Sequence, residues 1–544
     1  MLREGLRGGK INNEDKAVND LATRDGPPAL VGRGNLTIAT IEIPTFASMH
    51  RKYLFITAVA LLIACWNSVG FHQGDEHFQL IEFAAWKLGL MGQEDLTWEF
   101  AERMRPATQP AIVYGLYKVW SLLGEVNPYH FAFLLRLLSA AGFLVLAIKV
   151  WERYVGNMST PRLVQWLALG LLFNWCSVYN GIRFTGENWA GMALAAGFLL
   201  YPIRKVPERQ GIFTTARASN GGWDYFGAGL LFGLAFLFRY QVAIMVVGFG
   251  AWLLFISKEH WRCLGLTILG GLTALAVGTL LDAWFYGEWV NAPWHYLRSN
   301  LVEGKAATFG TAPWWDYFRL VFERGVPPLS LLYIAVPLWF TWRYRRDPIT
   351  WMMVPFLLVH FVLSRKDARF LFPLLPYLPV MIMAGAVALR QHYGNGFFDR
   401  KWVSRGVTLF WGINLAILLT VLVRPMISEV KVNKYVYDNY TEPVTLFADG
   451  RHIYTYANLI MHFYQRPGKV TIHQTETRED WPACNTPICL YSQLTKASTP
   501  PAGAKLVYTT RPLWADKLGL KDWMDGMKWW TVWEVNLRGD AGAE

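Results

Sequence analysis

Acidic side chains just outside an apolar run are the first residues of this chain whose types and spacing suit chemistry. They lie in Phe71-His72-Gln73-Gly74-Asp75-Glu76-His77-Phe78-Gln79-Leu80-Ile81-Glu82, directly after the run from Tyr53 to Val69. A helix starting at Asp75 would carry Asp75, Gln79 and Glu82 at i, i+4 and i+7, one polar stripe. Phe78, Ile81, Ala85 and Leu88 fall on its other face. Such a helix would lie flat on a bilayer, apolar side down, with its carboxylates towards a cavity. An acid at a membrane border can act as a base on a lipid-borne substrate. The same residues also fit plainer roles, Asp75 as an N-cap and Glu82 on a solvated face.

Cationic candidates lie far downstream. Ser364-Arg365-Lys366-Asp367-Ala368-Arg369-Phe370 is a basic loop between apolar runs. An anionic ligand is the simplest demand that would place it there; pairing with acids of the first loop, or with lipid headgroups, is the alternative. Arg183 and Glu187 stand one turn apart in Asn180-Gly181-Ile182-Arg183-Phe184-Thr185-Gly186-Glu187-Asn188, and Arg239 interrupts Phe236-Leu237-Phe238-Arg239-Tyr240-Gln241. Charges in apolar surroundings need a partner or a water-filled cavity, and Arg183–Glu187 also reads as a structural pair. Asp282 closes a further run, and Arg136 reads as a structural partner or a snorkelling side chain. The stretch 285–325 is dense in aromatics, which suits an interfacial belt with a few rings free to stack on sugar or lipid. His295 among its tryptophans is a weak site candidate. A metal site from His72, Asp75, Glu76 and His77 is suggested only by spacing. No P-loop, dinucleotide fingerprint or Cys/His metal spacing occurs in the sequence, so no metal and no cofactor are expected. Without a nucleotide site, a transferase here would take its sugar from a polyprenyl phosphate. Arg and Lys can stabilise that single leaving phosphate.

The elements that must position these residues are membrane helices. Of the 544 residues, 53% are hydrophobic and only 17% charged, and the apolar ones fall in blocks of roughly 17–22, the length that spans hydrocarbon. Spans are expected at about 53–70, 130–150, 162–180, 187–203, 225–240, 241–257, 264–284, 326–342, 350–363, 371–389 and 403–423. Segment 107–124, broken by Lys118, is expected as a re-entrant or surface helix. The net charge of +12 then reflects orientation. An eleven-span path puts Arg51-Lys52, Arg153 and Arg162, Arg204-Lys205, Lys258 and Arg262, Arg343-Arg345-Arg346 and Arg400-Lys401-Arg405 on one face, which is cytosolic. Asp75 to Glu102 lie opposite. Nucleic-acid binding, the rival reading of a basic chain, is excluded because no basic stripe lies on a soluble module.

Residues 1–50 are polar, with breakers such as Gly26-Pro27-Pro28, and are expected as a disordered cytosolic tail. Residues 51–424 are the membrane domain, with a first non-cytosolic loop over 71–129. Residues 425–544 read as a small α/β domain on the non-cytosolic side, with strand-like runs at 444–447, 470–472, 488–491, 506–508 and 531–533 and a helix-like stretch from Ile453 to Tyr464. Cys484 and Cys489 could pair in an oxidising compartment; Cys65, Cys176 and Cys263 read as packing residues.

The motif His72-Gln73-Gly74-Asp75-Glu76-His77-Phe78-Gln79, followed by Leu96-Thr97-Trp98-Glu99-Phe100 and Arg103-Met104-Arg105-Pro106, resembles the first luminal loop of glycosyltransferase family 22. These are the lipid-phosphate-mannose-dependent α-mannosyltransferases. Phe285-Tyr286-Gly287-Glu288-Trp289, Tyr296-Leu297-Arg298-Ser299-Asn300 and Gly310-Thr311-Ala312-Pro313-Trp314-Trp315-Asp316-Tyr317-Phe318 are most similar to the GPI third-mannose branch. Arg365 to Pro376 matches the family's basic-aromatic-proline loop. The likeness covers roughly 53–390, and it departs where Gln73-Gly74 stands in place of the usual His-Pro. It implies a GT-C-type helical bundle of about 11 spans, multi-pass in the endoplasmic reticulum or a bacterial inner membrane, with its site on the non-cytosolic side. It also implies inverting transfer of mannose from a polyprenyl phosphate to a glycolipid or glycan. Asp75 would be the catalytic base, with Glu76 beside it, and Arg365, Lys366 and Arg369 would hold the phosphate, with Arg183 or Arg239. His72, Gln79, Glu82, Glu187, Trp98 and His295 complete the expected substrate contacts. A transporter or flippase of polyprenyl-linked glycans is the rival class; the inverted repeats common in transporters are not evident.

Overall fold

A computed structural model of the chain describes residues 46–203, 212–478, 480–496, 501–512 and 527–536, with all side chains in these but those of 46–50 and 306. The tail expected over 1–45 lies outside the described residues. Helix α1, Phe46–Asn67, turns Phe55, Ile56, Leu62 and Trp66 outward, as a helix in contact with lipid tails does. The single amphipathic helix expected from Asp75 is instead two short ones, α2, Gly74–Phe78, and α3, Ile81–Lys87. The break at Gln79 and Leu80 separates the three polar residues of the expected stripe. Glu82 is buried and takes its hydrogen bonds from His77 Nε2 at 2.7 Å and the Phe463 backbone N–H at 3.1 Å. A buried carboxylate needs such donors, and Glu82 finds them away from Asp75.

Next come α4, Trp98–Ala101, and α5, Thr108–Ser121. At 14 residues, α5 is about 21 Å long, short of the ~30 Å hydrocarbon core. Helix α6 spans Pro128–Tyr154 and begins under an Asn127 cap. The single span expected over 162–180 is broken into α7, Pro161–Phe173, and α8, Trp175–Gly181. Asn174 is extended between them. The freed backbone is satisfied from outside: Asn414 accepts from the Trp175 N–H at 3.0 Å and donates to the Phe173 carbonyl at 2.8 Å. A break at membrane depth is tolerated when neighbouring side chains take over those bonds.

The bundle continues with α9, Gly186–Leu200, and α10, Gly222–Phe238, then α11, Ala243–Trp252, and α12, Trp261–Tyr286. Helices α10 and α12 pack with almost no space between backbones. A Cβ on Gly229 would stand 1.9 Å from the Thr267 carbonyl oxygen, and one on Gly270 would stand 2.1 Å from that of Phe226. Small residues permit this approach in lipid, where packing rather than water expulsion drives association. The aromatic loop holds α13, Ala292–Leu297, α14, Lys305–Thr308, and the start of α15, Asp316–Arg324; Trp289, Trp294, Trp314 and Trp315 are exposed. Helices α16, Leu329–Arg343, and α17, Pro348–Val362, follow. The expected span 371–389 starts as a 3-10 segment, Ala368–Tyr377, and becomes α-helical only in α18, Leu378–Tyr393. Pro373 and Pro376 remove two backbone donors there. Helix α19, Lys401–Val423, closes the bundle.

Among the described residues, five stretches are long and apolar enough to cross a membrane: Pro128–Asn157, Tyr240–Ser257, Trp261–Tyr286, Ala368–Tyr393 and Lys401–Asn439. Shorter apolar helices are Pro161–Phe173, Gly222–Phe238 and Pro348–Val362. The protein is a helical membrane protein.

After α19, helix α20, Ser428–Asn439, precedes β1, Val444–Asp449. The helix expected over 453–464 is instead a hairpin of β2, Thr455–Tyr456, and β3, Leu459–Ile460. Ala457 and Asn458 form its two-residue turn, both with positive φ, the backbone that a tight hairpin requires. Strands β4, Val470–Thr475, β5, Ile488–Thr495, β6, Lys505–Thr509, and β7, Trp529–Glu534, join β1 in the order β4-β1-β5-β7-β6. The first three of these run parallel and the last two antiparallel to their neighbours. Val432 and Val436 of α20 pack on Leu446, Leu490 and Val532 of the sheet. Cys484 and Cys489 are joined by a disulfide.

Candidate functional site

Four segments distant in sequence converge on Asp75, which sits in the first turn of α2. Arg369 comes from the 3-10 segment, whose first turn is capped by Asp367 Oδ1 accepting from the Arg369 N–H at 3.2 Å. Arg239 sits at the extended break after α10, and Arg105 in the loop between α4 and α5. Glu187 belongs to the first turn of α9, capped by Thr185. Gly191 in the same helix lets the 3-10 segment come close: a Cβ there would stand 2.9 Å from Pro373 Cα. That approach holds Arg369 over the start of α9.

Oδ2 of Asp75 lies 2.6 Å from Arg369 Nη1 and 3.9 Å from both Arg105 Nη2 and Arg239 Nη1. Among the described residues its ion pairs all use Oδ2. Glu187 Oε1 lies 3.0 Å from Arg239 Nη2 and 3.7 Å from Arg369 Nε. Arg369 Nε also reaches Asp367 at 3.3 Å, and Gln73 donates to the two Asp367 oxygens at 3.1 and 3.3 Å. Arg105 leans on Glu99 at 3.4 Å, and Gln79 donates to the same Glu99 oxygen at 3.0 Å. Burial works to raise the Asp75 pKa, but Arg369, Arg105 and Arg239 together hold its carboxyl well below the usual range. Burial and the nearby Arg183 push His72 down to about 3, so it is neutral at physiological pH.

Two cavities meet here. A cleft of about 30 Å³ is lined by Asp75, Gln79, Arg105, Glu187, Arg239 and Tyr296. A larger cavity of about 830 Å³ has Arg324, Arg365, Lys366, Tyr317 and Tyr456 on its wall, then Leu357, Leu371, Leu374, Leu378 and Met381. His72, Gln73, Arg369 and Phe372 line both. The small cleft is lined by charged side chains, the large cavity has both a cationic edge and a leucine-rich wall, and Arg369 borders both.

The expected residues separate by place. Asp75, Arg369, Arg239, Glu187, His72 and Gln79 gather at this junction. Glu76 lines the cleft but is anchored, accepting from the His72 N–H at 2.6 Å and the Phe184 N–H at 3.2 Å; burial raises its pKa. Arg183 does not pair with Glu187. It precedes α9 rather than lying in it, is fully buried, donates to Ser68 Oγ at 2.6 Å and lies over the Tyr179 ring. Arg365 donates to the Phe309 carbonyl, and Lys366 to those of Phe361 and Leu363. Both edge the large cavity without reaching Asp75, because α17 ends at Val362 and the two side chains fall back on neighbouring carbonyls. Glu82 is turned away as described. Trp98 stacks on Phe309, and His295 bonds the Glu102 carbonyl at 2.9 Å; neither lines the cleft or the large cavity. His77 is sandwiched between Phe71 and Tyr464, so it does not converge with His72, Asp75 and Glu76 on a metal position.

Arg105, Asp367, Arg324 and Tyr456 are site-lining residues that sequence reasoning did not select. Arg105 and Asp367 stood inside the motifs themselves, and a search for charges facing one another across those motifs would have found them. Tyr456 carries no sequence signal, because the hairpin delivers it against Phe71 and Phe78.

The profile of the Alg9-like mannosyltransferase family matches residues 52–473. GPI alpha-1,2-mannosyltransferase 3 of Bos taurus is 24% identical over 333 residues, 60% of this chain and 57% of that protein. GPI mannosyltransferase 3 of Yarrowia lipolytica is 26% identical over 370 residues, 66% of this chain and 64% of that protein. The chain thus spans less than two thirds of the length of these curated relatives. Among solved structures, ArnT from Cupriavidus metallidurans bound to undecaprenyl phosphate aligns with 77% of this chain and 85% of its own, at a TM-score of 0.46 and 13% identity.

Proposed function

The chain belongs to the Alg9-like mannosyltransferase family, and from that premise we propose that it is a membrane hexosyltransferase. It moves mannose from a polyprenyl-phosphate donor to a glycolipid or glycan acceptor by inverting single displacement. The observation that carries the reading is the clasp of Asp75 by Arg369, Arg239 and Arg105 where a small cleft lined by charged side chains meets a large cavity with a cationic edge and a leucine-rich wall. The cavity suits a polyprenyl chain, and Arg369 at its mouth suits the phosphate. We infer a GT-C-type bundle of about eleven crossings in the endoplasmic reticulum membrane, with the cleft on the luminal side and the sheet of 425–544 as a luminal domain.

In the proposed reaction an acceptor hydroxyl attacks the anomeric carbon from the face opposite the phosphate. Asp75 takes the hydroxyl proton, the carbon–oxygen bond to phosphate breaks, and the phosphate leaves with the electron pair. A carboxylate held this far down the pH scale is a weak base while three guanidiniums face it. An incoming phosphate competes for the same guanidiniums, above all Arg369, and frees Asp75 to accept the proton. Leaving-group charge is then balanced by the groups released. Arg365 and Lys366 would meet the phosphate before it reaches Arg369. A flippase would not need a carboxylate opposed to the phosphate site, and family membership favours transfer.

The test is transfer from labelled polyprenyl-phosphate-mannose by the purified protein in nanodiscs. Asp75→Asn is expected to cut turnover by roughly 10²–10⁴-fold while donor still binds. Near-normal turnover in that variant would remove Asp75 as the base.

A further inference from the structure

Arg136 is a buried charged side chain that the site just described leaves unused. It is 5% exposed, in the apolar first half of α6, and its Nε donates to the Cys65 carbonyl at 2.8 Å. Among the described residues no carboxylate pairs with it. A buried guanidinium with one main-chain acceptor is costly unless an anion or water takes its remaining N–H groups. It lines a separate cavity of about 210 Å³, which shares no lining residue with the two at Asp75. Lys431 and Lys434 of α20 line the same space. Lys434 is paired with Asp438 and lies 5.7 Å over the Tyr129 ring. Lys431 is exposed and has no carboxylate partner among the described residues.

The place of this cavity says what kind of molecule reaches it. It lies where α1 ends at Asn67, α6 begins at Pro128 and α19 ends at Val423. Trp66, Phe133 and Val423 form part of its wall. Trp66 and Val423, with Leu62 and Leu419 one turn further along α1 and α19, are exposed apolar side chains, which belong in contact with lipid tails. Lys431 and Lys434 follow the end of α19, Arg136 reaches the end of α1 through the Cys65 carbonyl, and Trp66 stacked on His130 forms the rim. A phosphate at headgroup depth, carrying tails that run down the exposed faces of α1 and α19, meets both requirements.

We propose that this cavity binds the phosphate of an anionic membrane lipid through Arg136, Lys431 and Lys434. A free phosphate offers the same charge but gains nothing from the apolar wall. The test is native mass spectrometry of the whole detergent-solubilised protein with dioleoylphosphatidylglycerol, dioleoylphosphatidylcholine or inorganic phosphate. Phosphatidylglycerol adducts are expected on the wild type, with occupancy falling roughly tenfold in Lys431→Ala/Lys434→Ala, as loss of charge-assisted hydrogen bonds implies. Phosphatidylcholine binding should be the same in both proteins. Inorganic phosphate at the same concentration should leave the adducts in place. Arg136→Gln should lose them and Arg136→Lys retain them; should Arg136→Gln fail to fold, the lysine pair, on the surface of α20, decides alone. Equal phosphatidylglycerol binding in the double lysine variant, or displacement by inorganic phosphate at the same concentration, would overturn the proposal.

Discussion

Arg369→Gln is the perturbation that separates the proposed clasp from a merely structural ion pair. Arg369 Nη1 lies 2.6 Å from Asp75 Oδ2, and its Nε lies 3.7 Å from Glu187 and 3.3 Å from Asp367. The Asp75 and Arg369 side chains are 25% and 14% exposed, so the pair is largely but not wholly shielded. The bare Coulomb attraction at that distance is about 6 kcal/mol at an effective dielectric of ~20, and desolvation cancels much of it. A net charge-assisted contact of about 1.5–3 kcal/mol remains, which is roughly 10–150-fold in an equilibrium constant. If the same guanidinium moves to the donor phosphate, donor KM should rise by about that factor in Arg369→Gln. The acid limb of kcat/KM should also move. Asp75 is depressed in the folded protein, so its charged form persists, and the stability it contributes is lost only as pH falls through that low value. Removing Arg369 lets its pKa rise, and the acid limb should shift upward with it. The assay is donor-saturation kinetics across pH in nanodiscs, with thermal unfolding to show that the variant is folded. A folded Arg369→Gln with wild-type KM and an unmoved acid limb would refute the shared-guanidinium reasoning. Arg365→Ala is the companion variant. Arg365 rests on a carbonyl at the cavity edge, so its KM should rise by only about threefold, the scale of an exposed ionic contact; an effect as large as that of Arg369 would mean that the phosphate sits further out.

Gln73→Ala removes the donor that ties Asp367 to the first loop; KM for donor should rise by roughly fivefold at unchanged kcat, the scale of one hydrogen bond, and a loss confined to kcat would contradict this positioning role. Gly229→Val places side-chain carbon against the Thr267 carbonyl of α12; overpacking of about 1–3 kcal/mol should lower the midpoint of thermal unfolding in detergent, and an unchanged midpoint would mean that the two helices part readily.

The family was legible from ordered motifs at 72–106, 285–318 and 365–376, each a run of distinctive residue types in a fixed order. The helical membrane character was legible as well, since apolar length is a local property. The short β-branched and aromatic runs that mark β1, β4, β5 and β7 are equally local. What failed was local reasoning at points where a distant residue sets the backbone. The break at Asn174 depends on Asn414, 240 positions away in the chain, and the split between α2 and α3 accompanies the seat of Glu82 on the Phe463 N–H. The hairpin at 455–460 was misread because its turn residues, Ala457 and Asn458, are not the glycine that usually announces positive φ.

For the site, the sequence determined that acids near position 75 and cations near 365–369 were the groups to watch. It could not determine which cation faces Asp75, since Arg365, Lys366 and Arg369 are equivalent as charges. Only packing decides that. Gly191 admits the 3-10 segment against α9, and that approach aims Arg369 inward, while Arg365 and Lys366 are left to main-chain carbonyls. Charge type is written in a residue, but its direction comes from the elements that press on it.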